Sequence, residues 1–226
     1  MKFKKALTCI VAGALLSLGA IQPAQAASAE DREEISSWFD KHGVSEQTQD
    51  RLHAKLLSGK MLDSMKADMA PLTEEEKTAG GFITIISTYP DGSISVSERE
   101  QAQNPNGISP RSISGCTAVS GSGYASRSNC LIKESNGYLH LQFRANYTMV
   151  NGAADYISWV GNASASSSWG SASAANLSII RRTESGSPAQ AQIGAQFDAY
   201  GGLNSYTGYA YLNVGGDSAW SSRNYN

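Results

Sequence analysis

Residues 136–150 read NGYLHLQFRANYTMV, and this stretch decides the fold class. Its Asn-Gly pair favours a tight hairpin, because both residues tolerate the positive φ of a type I′ turn. The following residues alternate with the period of a β-strand. The inward set is Leu139, Leu141, Phe143, Ala145 and Tyr147, and the opposite set is Tyr138, His140, Gln142, Arg144 and Asn146. This alternation predicts an antiparallel sheet with one face in solvent, and it places His140 on that face.

Similar patterns recur along the C-terminal half of the chain. The candidate strands are ADYISWV (154–160), LSIIRR (177–182), AQAQIGAQFDAY (189–200) and YAYLNV (209–214). Several short strands with Gly/Ser-rich connections are typical of a β-sandwich. We therefore predict a mainly β protein, in which a small helical segment and a β-hairpin precede a C-terminal antiparallel β-sandwich over residues 114–226. The pattern carries no information on strand order.

The part before the sandwich has a different composition. Residues 27–115 carry fifteen acidic against nine basic side chains, whereas residues 116–226 carry five against six. Apolar residues at helical spacing predict short helices in a leader region over 27–80, and the acidic run 74–76 is interpreted as the first turn of a helix. A Pro-Asp-Gly turn between two β-branched stretches predicts a β-hairpin over 81–98, followed by a linker over 99–113.

The first 26 residues are typical of a secretory signal peptide. A basic start and an apolar run precede Ala24-Gln25-Ala26, which favours cleavage after Ala26. No later stretch is apolar enough to span a bilayer. We therefore expect a secreted, extracellular protein without a membrane span. Removal of the signal peptide also removes Cys9.

Two cysteines then remain, Cys116 and Cys130, and we expect them to form a disulfide. An even number of cysteines in an oxidising compartment favours a bridge. A zinc site normally needs four ligands, and the chain has neither a CxxC nor an HxxxH spacing. A catalytic thiol would need a nearby base, which the sequence does not reveal.

Two parts of the chain resemble a known group of proteins. The first is GVSEQTQDRLHAKLLSGKMLDSMK (43–66) followed by TYPDGSISVS (88–97), and the second combines ISGC (113–116), NC (129–130) and YLNVGGDSAW (211–220). In this order they resemble uncharacterised secreted proteins of Gram-positive, chiefly actinobacterial, bacteria. The resemblance covers most of the chain after residue 26. It implies secretion and a β-rich end domain, and it implies no activity.

The sequence gives little support for catalysis, and we predict no catalytic residue, no metal site and no cofactor. It lacks the GxSxG elbow, a phosphate loop and the Rossmann glycine pattern. Glu134 and Glu184 are interpreted as loop charges, although Glu134 and Asp198 could meet as a glycosidase pair. Gly216-Asp217-Ser218 is a weak candidate for a calcium loop. A net charge of −2 without a basic stripe argues against a nucleic-acid partner.

Aromatic residues are the remaining candidates for a binding site. The predicted ligand-binding set is Tyr209, Tyr211, Trp159 and Trp220. Exposed rings can stack on sugars, but cross-strand aromatic residues also simply stabilise a sheet. The leading hypothesis is a secreted, non-catalytic interaction protein that binds a cell-wall glycan or a surface protein. Two alternatives stay open: a secreted effector or antibacterial factor with an acidic helical leader, and a hydrolase with an unrecognised site.

Overall fold

The computed structural model describes residues 29–102, 115–199 and 205–225. The predicted signal peptide and residues 103–113 of the predicted linker lie outside the described residues. The helices are α1 (Ala29–Lys41), α2 (Glu46–Leu57) and a short 3₁₀ helix (Asp63–Met65). The strands are β1 (Thr73–Ala79), β2 (Phe82–Thr88), β3 (Ile94–Glu100), β4 (Thr117–Gly121), β5 (Tyr124–Ser135), β6 (Leu139–Val150), β7 (Tyr156–Ser167), β8 (Ser171–Ala172), β9 (Asn176–Arg181), β10 (Ala189–Asp198), β11 (Ser205–Gly215) and β12 (Ser218–Tyr225).

The fold is mainly β, with two antiparallel sheets, which confirms the predicted class. The large sheet has the order β1-β2-β3-β5-β6-β7, and β4 adds to one end of β5. The small sheet has the order β12-β11-β10-β8, and β9 also pairs with β10. The inward residues of both sheets meet in one buried cluster. Burial of this apolar surface is the main stabilising contribution to the fold.

The predicted hairpin at 81–98 is formed by β2 and β3, and it is part of the large sheet. β3 pairs with β5 from Val96 opposite Ser135 to Arg99 opposite Ile132. Arg99 and Glu100 therefore belong to a strand, although both fall within the predicted linker. The hairpin is thus paired directly with a strand of the C-terminal half.

The acidic run 74–76 lies in strand β1, so the prediction of a helix there was wrong. β1 pairs with β2 along its whole length, from Thr73 opposite Thr88 to Ala79 opposite Phe82. Gly80 and Gly81 join the two strands, with φ of 60° and 83°. Two consecutive positive φ angles are what a two-residue hairpin requires, and glycine adopts them without a steric penalty. The turn and the pairing thus override the helix propensity of glutamate.

The β5–β6 hairpin forms as predicted, but its turn differs from type I′. Within Asn136-Gly137 only Gly137 has a positive φ, of +87°. The Asn136 side chain instead accepts hydrogen bonds from the backbone N–H groups of Tyr138 and Leu139. Gly137 has a second role, because a Cβ there would lie 2.9 Å from the Trp38 ring. Glycine thus allows both the turn and the close approach of α1.

Helix α1 covers part of the outer face of the large sheet, where the sequence predicted solvent. The Phe39 ring meets Tyr138 edge to face, with centroids 5.9 Å apart, and Trp38 lies 6.4 Å from His140. Tyr138 is fully buried and His140 is half-buried. The predicted solvent position of His140 was therefore wrong. Strand periodicity distinguishes the two faces of a sheet, but it does not reveal what packs on each face.

The Pro-Asp-Gly turn fixes the helical segment to the large sheet. The carboxylate of Asp91 accepts hydrogen bonds from Lys55 Nζ at 2.8 Å and from the Asp63 backbone N–H at 2.9 Å. It also accepts bonds from the backbone N–H and the hydroxyl of Ser93. Charge-assisted bonds of this kind are stronger than neutral ones. One side chain therefore links helix α2, the 3₁₀ helix and the start of β3.

Cys116 and Cys130 form the expected disulfide. It joins the residue before β4 to the middle of β5, and both cysteines are fully buried. Across the described ranges, no helix is both long and apolar enough to cross a membrane.

We expect Phe39→Ala to lower the free energy of unfolding by about 3–5 kcal/mol, because it removes a buried ring and leaves a cavity. Phe39 is 1% exposed. Urea denaturation of the folded chain measures this change. Ser37→Ala is the matched control, since Ser37 lies exposed on the same helix. Equal midpoints for the two variants would contradict the packing of α1 on the sheet.

Candidate functional site

The outer face of the small sheet carries an aromatic cluster, which we call the aromatic face. In β11 the side chains of Tyr209 and Tyr211 alternate with the buried Ala210 and Leu212. The register places the neighbouring strands' polar residues around them. The aromatic face consists of Tyr209, Tyr211 and Trp220, together with Gln190, Gln192, Asn213, Ser222 and Asn224.

The two tyrosine rings lie next to each other along β11. Their centroids are 6.4 Å apart and their planes differ by 27°. Tyr209 packs over Gly194 of β10, where a Cβ would lie 2.7 Å from the ring. The absence of a side chain at Gly194 lets this ring lie against the neighbouring strand. Both tyrosines are half-buried. The rings thus form part of a regular, rigid surface.

Trp220 extends the aromatic face to the edge strand β12. It lies opposite Asn213 and therefore diagonally from Tyr211, and its side chain is 40% exposed. The amides between the rings are held in place: Gln190 donates to Asn213 at 2.8 Å, and Asn213 donates to Ser222 at 2.8 Å. Burial, together with the nearby Tyr209, raises the pKa of Tyr211, which keeps its phenol neutral. The face therefore combines apolar rings with oriented, uncharged hydrogen-bonding groups.

Trp159, the fourth predicted residue, lies elsewhere. It pairs with Asn146 in the large sheet and packs against Gly161. Asn146 alternates with the buried Ala145 and Tyr147, so Trp159 faces outward from the large sheet. The structure therefore brings together Tyr209, Tyr211 and Trp220, and it separates Trp159 from them. Strand order, which the sequence did not reveal, decides this separation.

A cavity of about 430 Å³ lies beside β12, next to Trp220. Its walls include Lys66, Glu74, Tyr89, Arg223 and Tyr225. Arg223 Nε donates to the Tyr89 hydroxyl at 3.0 Å, which connects the edge strand to the turn between β2 and β3. The cavity thus lies between the small sheet and the N-terminal part of the large sheet.

Glu134 contacts Ser97 and Arg223, two residues that line this cavity, and its interpretation as a loop charge was wrong. Its side chain is 2% exposed and lies near the end of β5. One carboxylate oxygen accepts a hydrogen bond from Ser97, and the other lies 3.7 Å from Arg223 Nε. We predicted a loop position because Glu134 lies close to the Asn136-Gly137 turn in the sequence. Ser97, directly opposite on β3, is also buried.

The environment of Glu134 favours its neutral form. Burial raises its pKa to about 7, although Arg223 and hydrogen bonds from Ser97 and Tyr225 act in the opposite direction. A carboxyl group with such a pKa can exchange a proton near neutral pH. No hydrogen bond or ion pair joins it to Asp198, whose carboxylate lies at the end of β10 and accepts a bond from Gln196. Glu134 points inward from the large sheet, whereas Asp198 alternates with the buried Phe197 and so points outward from the small sheet. The two carboxyl groups therefore do not face each other across a cleft, as a glycosidase pair must.

The raised pKa of Glu134 predicts a pH-dependent stability. In the unfolded chain the group ionises near its ordinary pKa of 4.5, whereas in the folded chain it ionises near 7. The stabilising contribution is therefore present below pH 4.5 and is lost as the pH rises to 7. One pKa unit corresponds to about 1.4 kcal/mol. Over this pH range the free energy of unfolding of the wild type should therefore fall by roughly 3 kcal/mol relative to that of Glu134→Gln.

Urea denaturation of the wild type and Glu134→Gln across this pH range measures the loss. Glu98→Gln is the matched control, because Glu98 lies on the opposite face of the same sheet and forms a partly exposed ion pair with Lys133. The free energy of unfolding of Glu98→Gln should change with pH as steeply as that of the wild type. Parallel pH profiles for the wild type and Glu134→Gln would contradict the assigned pKa.

The acidic groups near Gly216-Asp217-Ser218 bind the backbone. Asp155 accepts hydrogen bonds from the N–H groups of Val150 and Asp217, and Glu184 accepts them from Asp155 and Gly216. These bonds hold three loops together at one end of the sandwich. In the part of the chain that the structure describes, no group of three or more His, Cys, Asp or Glu side chains is arranged to hold a metal ion.

Comparisons of the chain with protein-family models, with curated proteins and with solved structures found no match. The resemblance to secreted proteins of Gram-positive bacteria therefore stays a prediction.

Proposed function

We propose that this chain is an extracellular binding module whose aromatic face takes a neutral glycan of the cell wall. The observation that carries the proposal is the cluster of Tyr209, Tyr211 and Trp220 on one regular sheet face. The apolar face of a sugar ring stacks favourably on an aromatic ring. Two neighbouring rings along one strand, with a third on the next strand, suit successive sugars of a chain.

The polar residues of the aromatic face support an uncharged ligand. Asn213 is buried beneath the face, where it accepts a hydrogen bond from Gln190 and donates one to Ser222. It thereby fixes the orientation of these two partly exposed side chains. Sugar hydroxyl groups both donate and accept, so amides and hydroxyls are suitable partners. None of the eight members of the aromatic face is acidic or basic, and Arg181, which lies opposite Gln190 on β9, donates a hydrogen bond to the Pro188 carbonyl oxygen. The hydrogen-bonding groups of the face itself therefore suit a neutral polysaccharide segment.

The rigidity of the face also supports binding. Its rings and amides stand on paired strands rather than on loops, so little conformational entropy is lost when a ligand binds. Tyr209 has a structural role as well, because its ring covers Gly194. Tyr211 and Trp220 are therefore the better positions at which to separate binding from sheet stability.

We expect Trp220→Ala and Tyr211→Ala each to weaken binding about tenfold, which corresponds to about 1.4 kcal/mol, because each loses one stacking surface. Depletion isotherms of the protein on purified Gram-positive cell walls and on insoluble neutral polysaccharides measure this effect. Trp159→Ala is the matched control: Trp159 is also 40% exposed but lies on the other sheet.

Equal retention of Trp220→Ala, Tyr211→Ala and Trp159→Ala would contradict the aromatic face as the binding site. Release of bound protein by a soluble oligosaccharide supports a glycan ligand. Loss of binding after the walls are treated with protease would instead point to a surface protein as the partner, and it would overturn the glycan proposal.

A further inference from the structure

His140 lies in a chain of hydrogen bonds that connects helix α1 to the end of β5. Its Nδ1 lies 2.7 Å from Ser135 Oγ, and its Nε2 lies 2.8 Å from Ser168 Oγ. Ser168 Oγ in turn lies 3.2 Å from a carboxylate oxygen of Glu34. An imidazole that contacts a serine hydroxyl through one ring nitrogen can activate that serine as a nucleophile. A hydrogen-bonded group on the other ring nitrogen then orients the imidazole.

The partners of Ser168 assign the protons along this chain. A carboxylate only accepts hydrogen bonds, so Ser168 must donate its proton to Glu34. Ser168 Oγ then accepts from His140 Nε2–H, which leaves Nδ1 as an acceptor for the hydroxyl proton of Ser135. The backbone N–H of Gly137 donates to Ser135 Oγ at 3.1 Å and does not compete for that proton. The Ser135 hydroxyl is thereby directed at a base.

Both Ser135 and His140 open onto a cavity of about 250 Å³ beneath α1. The cavity lies against the outer face of the large sheet, whereas the aromatic face belongs to the small sheet. Trp38 forms one wall, and Lys41 and Gln142 contribute side chains with N–H donors. Ser168 is buried, and it positions the imidazole from the side opposite Ser135. The cavity has room for a small acyl group but not for a long chain.

The charge state of His140 suits a general base. Burial lowers its pKa below the ordinary value of 6.5, and Glu34 partly offsets this effect. The imidazole is therefore neutral at neutral pH and can accept a proton. The other titratable groups that line the cavity are Lys41 at the end of α1, His42 directly after it, Glu98 on β3, and Lys133 and Glu134 on β5.

We propose that Ser135 and His140 form a hydrolytic site for short-chain acyl esters, a function beyond the glycan binding proposed above. Ser135 Oγ attacks the ester carbonyl carbon while its proton passes to His140 Nδ1. The bond to the alcohol then breaks, and the alcohol leaves with that proton. A water molecule attacks the resulting acyl-serine, again giving a proton to His140, and the carboxylic acid departs as the proton returns to Ser135.

The residues around the pair have defined roles in this reaction. Ser168 and Glu34 are positioning residues, because they act on the substrate only through His140. Lys41 and Gln142 line the cavity with the donors that the developing negative charge on the carbonyl oxygen requires. Trp38 limits the acyl group to a short one, such as acetyl.

Covalent labelling with a small fluorophosphonate tests the site directly. Intact mass and peptide mapping should show one adduct per folded chain, on Ser135. Ser135→Ala should lose the adduct, and His140→Gln should label at least a hundredfold more slowly. Ser158→Ala is the matched control, since Ser158 lies exposed on β7 of the same sheet, outside the cavity, and this variant should label like the wild type.

Two further measurements separate a catalytic role from a structural one. The wild-type labelling rate should rise with pH and level off above an inflection below 6.5, and Ser168→Ala should shift that inflection. The rates at which the variants hydrolyse p-nitrophenyl acetate should rank in the same order as their labelling rates. A folded wild type that takes up no reagent, or takes it up on another serine, would overturn the proposal whether or not the chain binds glycans.

Discussion

The packing of helix α1 on the outer face of the large sheet is the contact on which the rest of the structure depends. Trp38 and Phe39 approach the β5–β6 turn closely because Gly137 has no side chain there. The Asp91 cluster holds the following helix and the β2–β3 turn together. The buried side chains of the helical segment therefore belong to the protein's core. As a result, the large sheet is covered on both faces around β5 and β6, while Tyr209, Tyr211 and Trp220 on the outer face of the small sheet stay partly exposed.

Strand periodicity was enough to predict the mainly β class, the inward residues of β6 and the tyrosines of β11. The disulfide followed from the count and compartment of the cysteines. The acidic run of β1 was missed because Gly80-Gly81 and pairing with β2 outweigh local helix propensity. The positions of His140 and Trp159 were not predictable. The alternation of a strand shows on which face of the sheet a side chain lies, but it shows neither what packs on that face nor the order of the strands.

The two buried polar clusters of the large sheet differ in what they connect. Glu134 and Arg223 join the two sheets beside an open cavity, and the Glu134 oxygen that lies 3.7 Å from Arg223 Nε has no hydrogen-bond partner among the residues that the structure describes. The chain from Glu34 to Ser135 connects a helix to a strand end, and every member has a partner. Buried polar groups with complete hydrogen bonding fix one arrangement of the elements around them. The chain from Glu34 to Ser135 thus holds α1 in a defined position on the large sheet.

The central claim is that the open face of the small sheet is the recognition surface. Hydroxyl-radical footprinting of the protein, free and bound to cell walls, tests it most directly, because the method reports the exposure of each aromatic side chain. The account predicts that binding protects Tyr209, Tyr211 and Trp220 while Trp159 reacts at the same rate in both states. Protection of Trp159, with Trp220 and the tyrosines unchanged, would contradict it.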